Sequence, residues 1–180
     1  MPVLIESNSV SIRRARDADK EAIWLIRFRA IQEVSRPYYT PLEIHHWSGS
    51  ITPEYYAHTM ERHELIVAEY GGKVIGFGQL DREHGFIEAV YVSPDYLRRG
   101  IGMKLLETLE QKALDRGCIM LQLCSSLNAL PFYERAGYKA AMNIRLRLSN
   151  GFEIPCIYMT KKLAPASESG SCGYSPPISL

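Results

Sequence analysis

The apolar positions near the start of the chain recur mainly with a helical period. Residues 11–14 predict a short strand, and the segment after it has one apolar face. That face consists of Ile23, Ile26, Ala30 and Val34. Pro37 ends the predicted helix, because the residue before a proline avoids the helical conformation. Two short helices should follow, one containing Trp47 and one beginning at Pro53.

From residue 64 the pattern changes to that of extended structure. Residues 64–70 and 73–80 predict a hairpin around the turn Gly71-Gly72, since two glycines suit a tight hairpin connection. A third strand is expected at residues 86–92. Together these three strands predict an antiparallel meander.

The second half of the chain combines one long helix with further strands. The helix after Gly100 has an inward face formed by Leu105, Leu106, Leu109 and Ala113. A buried strand is predicted at residues 119–124 and a short helix at 128–136. A final antiparallel pair is predicted at residues 138–148 and 152–161.

This order of elements favours an α+β fold with a mixed sheet over a doubly wound parallel one. A chain of 180 residues is long enough to bury one core, so we expect a single domain over residues 1–163. Residues 164–180 are rich in Ser, Pro and Gly and nearly uncharged, which predicts a flexible tail.

Charge and composition narrow the range of partners. The formal net charge is +1, so no overall positive field attracts nucleic acid. No apolar run approaches the roughly 18 residues of a membrane span, and the N-terminus lacks the pattern of a signal peptide. We therefore expect a cytoplasmic protein without a membrane partner. The four cysteines lack the spacing of zinc ligands, and no metal is predicted.

A tight basic turn joins the meander to the long helix. Its sequence is Arg98-Arg99-Gly100-Ile101-Gly102, followed by Met103. Glycine keeps side chains out of the turn, and the first N–H groups of a helix have no partner inside it. The pattern favours binding of a phosphate or pyrophosphate. The plainer alternative is a solvated arginine pair beside two ordinary turn glycines.

Two segments resemble the GCN5-related N-acetyltransferase superfamily, and the resemblance covers residues 10–163. Residues 91–94, Tyr-Val-Ser-Pro, lead into the turn at 98–102 and are similar to the family's acetyl-CoA pyrophosphate loop. Residues 128–138, Asn-Ala-Leu-Pro-Phe-Tyr-Glu-Arg-Ala-Gly-Tyr, are similar to its second cofactor segment. Leu97 departs from the family, which usually has Gln or Arg there. The resemblance implies a mostly antiparallel sheet of about six to seven strands flanked by helices.

The resemblance also implies which residues contact acetyl-CoA, the co-substrate. Backbone groups of Val90 and Val92, with Tyr91 between them, would bind the pantetheine arm and polarise the thioester, because the family splays this strand from its neighbour. The pyrophosphate would lie against the turn, which comprises Arg98, Arg99, Gly100, Ile101, Gly102 and Met103. Asn128 would bond the pantetheine amides; alternatively, it caps a helix.

Glu88 and Tyr133 are the candidate catalytic residues. In a regular strand Glu88 shares a face with Val90 and Val92, and burial there would raise its pKa and suit it as general base. Alternatively, Glu88 faces solvent. By resemblance the Tyr133 phenol approaches the cofactor sulfur and protonates the leaving thiolate; alternatively, it packs in the core. A phenol is a weaker acid than a thiol, so positioning or a lowered pKa must help.

Aromatic residues between the first helices form the candidate acceptor site. Tyr38, Tyr39 and Trp47 would wall an amine pocket, or else serve only in packing. We predict direct transfer of an acetyl group, in a ternary complex, to a primary amine of a small molecule or protein. A CoA-binding sensor or interaction module without turnover is the alternative. The identity of the acceptor, and the choice between monomer and homodimer, do not follow from the sequence.

Overall fold

The computed structural model describes residues 9–163. This part of the chain contains seven strands: β1 (Ser11–Arg14), β2 (Glu64–Tyr70), β3 (Lys73–Asp81), β4 (Phe86–Val92), β5 (Met120–Ser125), β6 (Lys139–Arg147) and β7 (Glu153–Lys162). Its α-helices are α1 (Lys20–Arg29), α2 (Pro41–Ser48), α3 (Pro53–Arg62), α4 (Ile101–Leu114) and α5 (Leu130–Arg135). None of the helices between residues 9 and 163 is long and apolar enough to cross a bilayer. The predicted flexible tail at residues 164–180 lies outside the described residues.

Most predicted elements are confirmed, and three differ from the prediction. The first predicted helix ends as α1 at Arg29 and continues as a π-helical segment at Ala30–Val34. The predicted buried strand at 119–124 is β5, but it alternates, with Leu121 and Leu123 buried and Met120 42% exposed. The alternation arises because a helix covers only one face of this strand. The predicted helix at 128–136 is divided into a 3₁₀ turn at Leu127–Ala129 and the shorter α5.

The seven strands form one sheet in the order β1-β2-β3-β4-β5-β7-β6. All neighbouring pairs are antiparallel except β4 and β5, which are parallel. A parallel pair needs a crossover connection, and α4 supplies it by returning the chain from the end of β4 to the start of β5. The predicted α+β fold with a mixed, mostly antiparallel sheet is confirmed.

Each face of the sheet carries its own hydrophobic core. The face covered by α4 includes Leu105, Leu106 and Leu109, all with no exposed surface. Burial of one such side chain contributes about 1.5–3 kcal/mol, so the helix is firmly held. The opposite face is covered by α1 and α3, which bury Ile23 and Tyr56 against Phe77. Helix α4 therefore has a fixed position relative to β4, and the turn between them is held at both ends.

Candidate active site

Strands β4 and β5 pair only at their beginning. The parallel register contains two residue pairs, Phe86 with Gln122 and Ile87 with Leu123. Strand β5 continues to pair with β7 along its whole length, so β4 diverges from it beyond Ile87. The two strands therefore open a gap in the middle of the sheet.

Backbone groups of β4 face this gap. Ser93 N donates to Ile75 O across the β3 edge at 2.9 Å. In an antiparallel pair the residues that exchange hydrogen bonds alternate, so Tyr91 and Ala89 bond to β3 in the same way. The N–H and C=O groups of Val90 and Val92 therefore point away from β3, toward the gap. This orientation agrees with the expectation that these two residues offer free backbone groups.

A β-bulge in β4 determines where Glu88 lies. Gln79 pairs with Ala89, but the next β3 residue, Leu80, pairs with Ile87, which leaves Glu88 without a partner in the ladder. Beyond the bulge, Val90 packs in the same core as Ile87. The prediction that Glu88 shares a face with Val90 and Val92 is wrong, because it assumed an unbroken alternation.

Glu88 lies against two polar side chains that come from other elements. Its carboxylate accepts a hydrogen bond from Gln79 Nε2, and its Oε2 lies 2.8 Å from His63 Nδ1. His63 follows the end of α3 and supports the carboxylate from the α1/α3 side of the sheet. The Glu88 side chain keeps 30% of its surface exposed. Partial burial raises the pKa of Glu88 above the ordinary carboxyl value, although His63 and Gln79 act in the opposite direction.

The basic turn forms an open anion cradle at the start of α4. Gly100 has a φ of +76°, a conformation that glycine adopts without strain, and a Cβ added there would meet nothing within 4 Å. Lys104 N is the amide that donates to Gly100 O, at 3.0 Å. The N–H groups of Ile101, Gly102 and Met103 precede it and therefore have no acceptor inside the helix.

Arg98, Arg99 and Gly102 complete the basic turn, and each has different surroundings. Arg98 is exposed and has a φ of +60°. The Arg99 guanidinium lies 5.5 Å from the centre of the Tyr96 ring. A Cβ added at Gly102 would lie 3.4 Å from the Phe132 ring, at ordinary van der Waals distance, so α4 and α5 lie in close proximity here.

Asn128 lies in the cleft beneath the gap, within the 3₁₀ turn before α5. Its Oδ1 is buried and has no hydrogen-bond partner in the described part of the chain. It does not cap α5, whose N-cap is Ala129. A buried unpaired oxygen is costly, by about 1–3 kcal/mol. The amide of Asn128 is therefore suited to accept a hydrogen bond from a ligand N–H.

Tyr133 lies in the same cleft as Asn128 and Glu88. Its side chain is buried, with 7% of the residue exposed, and its ring packs edge-on against Phe132 with centroids 4.9 Å apart. Burial raises the pKa of the Tyr133 hydroxyl. This direction gives no support to the expectation of a lowered pKa for the Tyr133 phenol. The phenol stays protonated at neutral pH, and only its position can help it to donate.

Glu88, Asn128 and Tyr133 line one cleft with a volume of about 470 Å³, together with Val92 and Tyr56. The residues of the basic turn, 98–103, are not among the described residues that line it. Of the three aromatic residues predicted to bind the acceptor, Trp47 lines the cleft. Tyr38 and Tyr39 are not among the described residues that line it.

The other two aromatic residues have different surroundings. Tyr38 is 55% exposed. The Tyr39 hydroxyl donates to Pro155 O and accepts from Leu127 N, at 3.0 and 2.9 Å, and so connects β7 to the turn before α5. Tyr39 is buried and acts in packing, which is the alternative to a role in the acceptor site.

Sequence reasoning missed two arginines and a histidine. Arg27 and Arg147 line the cleft, and His63 supports Glu88. Arg27 occupies an otherwise apolar helix face between Ile23 and Ala30, which is the one signal that the sequence offers. Arg147 and His63 reach the site through the sheet order and the β-bulge, which no local pattern encodes.

This chain is similar to known N-acetyltransferases. A model of the acetyltransferase (GNAT) family matches residues 13–138. An uncharacterised N-acetyltransferase of Escherichia coli K12, YafP, is 26% identical over 139 residues, which cover 77% of this chain and 87% of that protein.

Solved structures share the fold. A GCN5-related N-acetyltransferase from Rhodopseudomonas palustris has a TM-score of 0.81 and 24% identity, covering 88% of this chain and 98% of that one. The PaiA N-acetyltransferase from Thermoplasma acidophilum, in complex with coenzyme A, has a TM-score of 0.71 and 20% identity over 86% and 99% of the two chains.

Proposed function

We propose a direct-transfer mechanism for this chain, which belongs to the acetyltransferase (GNAT) family and is an acetyl-CoA-dependent N-acetyltransferase. The acceptor is a primary amine, and both substrates occupy the cleft together. The observation that carries the proposal is the gap between β4 and β5, because it opens into a cleft that contains a buried unpaired amide oxygen and a carboxylate. The open anion cradle lies beside this gap, since Gly102 approaches the Val92 side chain.

The residues present fit acetyl-CoA. The N–H groups of Ile101, Gly102 and Met103 suit the pyrophosphate, with Arg98 and Arg99 adding positive charge. Asn128 Oδ1 suits a pantetheine amide N–H, since it has no partner of its own. The backbone groups of Val90 and Val92 extend this surface along the gap, with Tyr91 holding β4 to β3 between them. Bound acetyl-CoA supplies an electrophilic thioester carbonyl.

Glu88 and Tyr133 carry out the two proton transfers of the reaction, one from the amine and one to the departing thiolate. Glu88 accepts a proton from the amine, directly or through water, and its raised pKa makes it a stronger base than an ordinary carboxylate. Tyr133 holds a proton at its hydroxyl for the departing thiolate, and burial keeps it loaded at neutral pH. Both side chains line the cleft, which favours an enzyme over a CoA-binding module without turnover.

We expect Gly100→Val to abolish acetyl-CoA binding. Acetyl-CoA at 100 times its Kd should stabilise the unsubstituted protein by about 2.7 kcal/mol and raise the Tm by about 5–10 °C. In Gly100→Val this shift should disappear, because the new side chain enters the cradle that is open to the ligand. A thermal-shift titration measures the effect.

Gly117→Val is the matched control for this experiment. Gly117 follows the other end of α4, has a φ of +80° and has nothing within 4 Å of an added Cβ. Valine at either position carries the same backbone strain, about 1–3 kcal/mol, but Gly117 is distant from the cradle. An equal acetyl-CoA shift in the two variants would contradict the assignment of the turn.

A further inference from the structure

The charge of the cleft is unusual for an enzyme that takes up an amine. Three of its lining residues carry charged side chains, namely Arg27, Glu88 and Arg147. Two cations therefore face one carboxylate. A polyamine or other purely cationic acceptor would meet net repulsion in such a cleft.

Arg27 is a buried cation whose charge no carboxylate balances. It is 7% exposed, and its Nη1 and Nη2 donate to Ser48 O and Trp47 O, at 3.2 and 2.9 Å. Nη2 also donates to Ser50 Oγ at 2.8 Å. No ion pair to Arg27 exists within the described residues.

The acceptors of Arg27 compensate only part of its charge. The two carbonyls belong to the last turn of α2, whose dipole is equivalent to roughly half a negative charge. Positive charge therefore remains at a wall of the cleft. Buried charges in proteins are normally paired, and here a ligand can complete the pair.

Arg147 adds a second cation at the end of β6. The residue is exposed, and its neighbour across the ladder is Glu153. Glu153 is engaged by Arg145 instead, with Nε to Oε2 at 3.3 Å. Between residues 9 and 163 no carboxylate lies within ion-pair distance of Arg147. Its charge is therefore available to a molecule in the cleft.

Hydrogen bonds link the loop that Arg27 supports to the turn that follows Arg147. The Ser149 hydroxyl, two residues beyond Arg147, donates to Ser50 O. Ser50 Oγ in turn accepts from Arg27. The turn between β6 and β7 is thus joined to the loop that Arg27 supports, which brings both cations to one wall.

Glu88 lies further along β4 from this wall. The Tyr91 side chain lies close enough to Arg27 to interact with it electrostatically, and Glu88 precedes Tyr91 by three residues, about 10 Å along a regular strand. The positive wall and the carboxylate therefore occupy different positions along β4. Such an arrangement favours a ligand with an amine at one end and an anion at the other.

We propose that the amine acceptor carries an oxyanion, a carboxylate or a phosphate, that Arg27 and Arg147 bind while Glu88 receives the amine. This inference rests on the proposed function and adds the chemical class of its acceptor. An arginine–oxyanion contact is a charge-assisted hydrogen bond, often bidentate, and contributes about 1.5–3 kcal/mol. That energy corresponds to a preference of about 10- to 150-fold over an uncharged analogue.

The test compares acceptors that differ only in the anion. The probes are the common L-amino acids against their carboxamides, and O-phosphoethanolamine against ethanolamine, with spermidine as a cationic acceptor. Thiol release from acetyl-CoA gives kcat/KM for each. We expect at least one acid or phosphate to exceed its neutral partner by about 10-fold or more, and the better class identifies the source of the oxyanion.

Arg147→Gln tests the assignment of the wall, and Lys139→Gln is its matched control. Both changes remove one positive charge from an exposed position on β6, but Lys139 does not line the cleft. Arg147→Gln should reduce the preference for the anionic member of a pair by about 10-fold and leave the acetyl-CoA thermal shift intact. Lys139→Gln should leave both unchanged.

Equal kcat/KM for charged and neutral partners, a preference for spermidine, or equal effects of the two variants would overturn the inference. Calorimetric titration of the same probes into the CoA-loaded protein carries the test independently of turnover, and equal affinities there would also overturn it. By contrast, intact acetyl-CoA binding with no thiol release for any amine, together with anion-dependent probe binding, would contradict the proposed function and leave the inference standing.

Discussion

Replacement of Glu88 by Gln should lower kcat/KM by about 10³-fold, within the range of a lost general base. The amide resembles the carboxylate in shape but cannot accept the amine proton. The Gln79 and His63 contacts that hold the side chain come from outside β4 and remain available to an amide. Steady-state thiol release with saturating acetyl-CoA is the measurement.

The pH profile of kcat/KM separates this role from a structural one. Glu88 must be ionised to accept a proton, so activity should rise with pH through its folded pKa, which burial places above the ordinary carboxyl value. An amine acceptor also titrates and gives a rising limb of its own. Two acceptors of different amine pKa distinguish the two limbs. The limb that belongs to Glu88 keeps the same midpoint with both acceptors and is lost in Glu88→Gln, whereas the limb of the amine shifts with the acceptor.

Stability should change in the opposite direction to activity. A carboxyl whose folded pKa is raised destabilises the fold at any pH above that pKa, and the penalty disappears below the unfolded pKa. Glu88→Gln should therefore leave the Tm at pH 8 equal or higher. Glu83→Gln, an exposed acid in the turn between β3 and β4, is the control and should retain full activity. If the midpoint of the rising limb shifts with the acceptor and is unchanged by Glu88→Gln, Glu88 is not the general base.

Tyr133→Phe should lower kcat by about 10²-fold and leave the affinity for acetyl-CoA nearly unchanged. Only the hydroxyl is lost, so the edge-on packing against Phe132 survives. Because the pKa of Tyr133 is raised rather than lowered, proton donation depends on the position of its hydroxyl. No other side chain can place a proton donor there when the hydroxyl is removed. An effect confined to kcat is typical of an interaction made in the transition state.

Tyr138→Phe is the control for the loss of a buried hydroxyl. Tyr138 is 2% exposed, its ring centroid lies 5.7 Å from that of Tyr133, and it does not line the cleft. We expect this variant to keep its kcat. If Tyr133→Phe and Tyr138→Phe behave alike, Tyr133 is a packing residue.

The sequence predicted the elements well because each depends on a local pattern. The hairpin follows from two apolar segments around Gly71-Gly72, and α4 follows from a helical apolar face after Gly100. The basic turn was predictable for the same reason. A short motif, together with the resemblance it supports, places Gly100 at the start of a helix without knowledge of the sheet.

The surroundings of Glu88 were not predictable from the sequence. A one-residue bulge opposite Gln79 and Leu80 changes which face of β4 each side chain occupies. Nothing in residues 86–92 marks the position of the bulge. His63 lies 25 positions before Glu88 and meets it only because α3 ends beside the sheet. Arg147 likewise lines the cleft because the turn after β6 packs against the end of α2 and the segment that follows it, a contact between residues about 100 positions apart.

The short pairing of β4 with β5 also affects how the molecule holds together. Two residue pairs join the ladder of β1–β4 to the ladder of β5–β7, so backbone hydrogen bonding is nearly interrupted there. Side chains of α4 that pack on both ladders carry most of the mechanical connection. A ligand in the gap adds hydrogen bonds to the backbone of β4 in the first ladder. It also adds hydrogen bonds to the turn at Leu127–Ala129, which follows β5 of the second ladder. Substrate binding and cohesion of the two half-sheets therefore depend on the same seam, and the saturated protein resists separation of its halves more than the empty one.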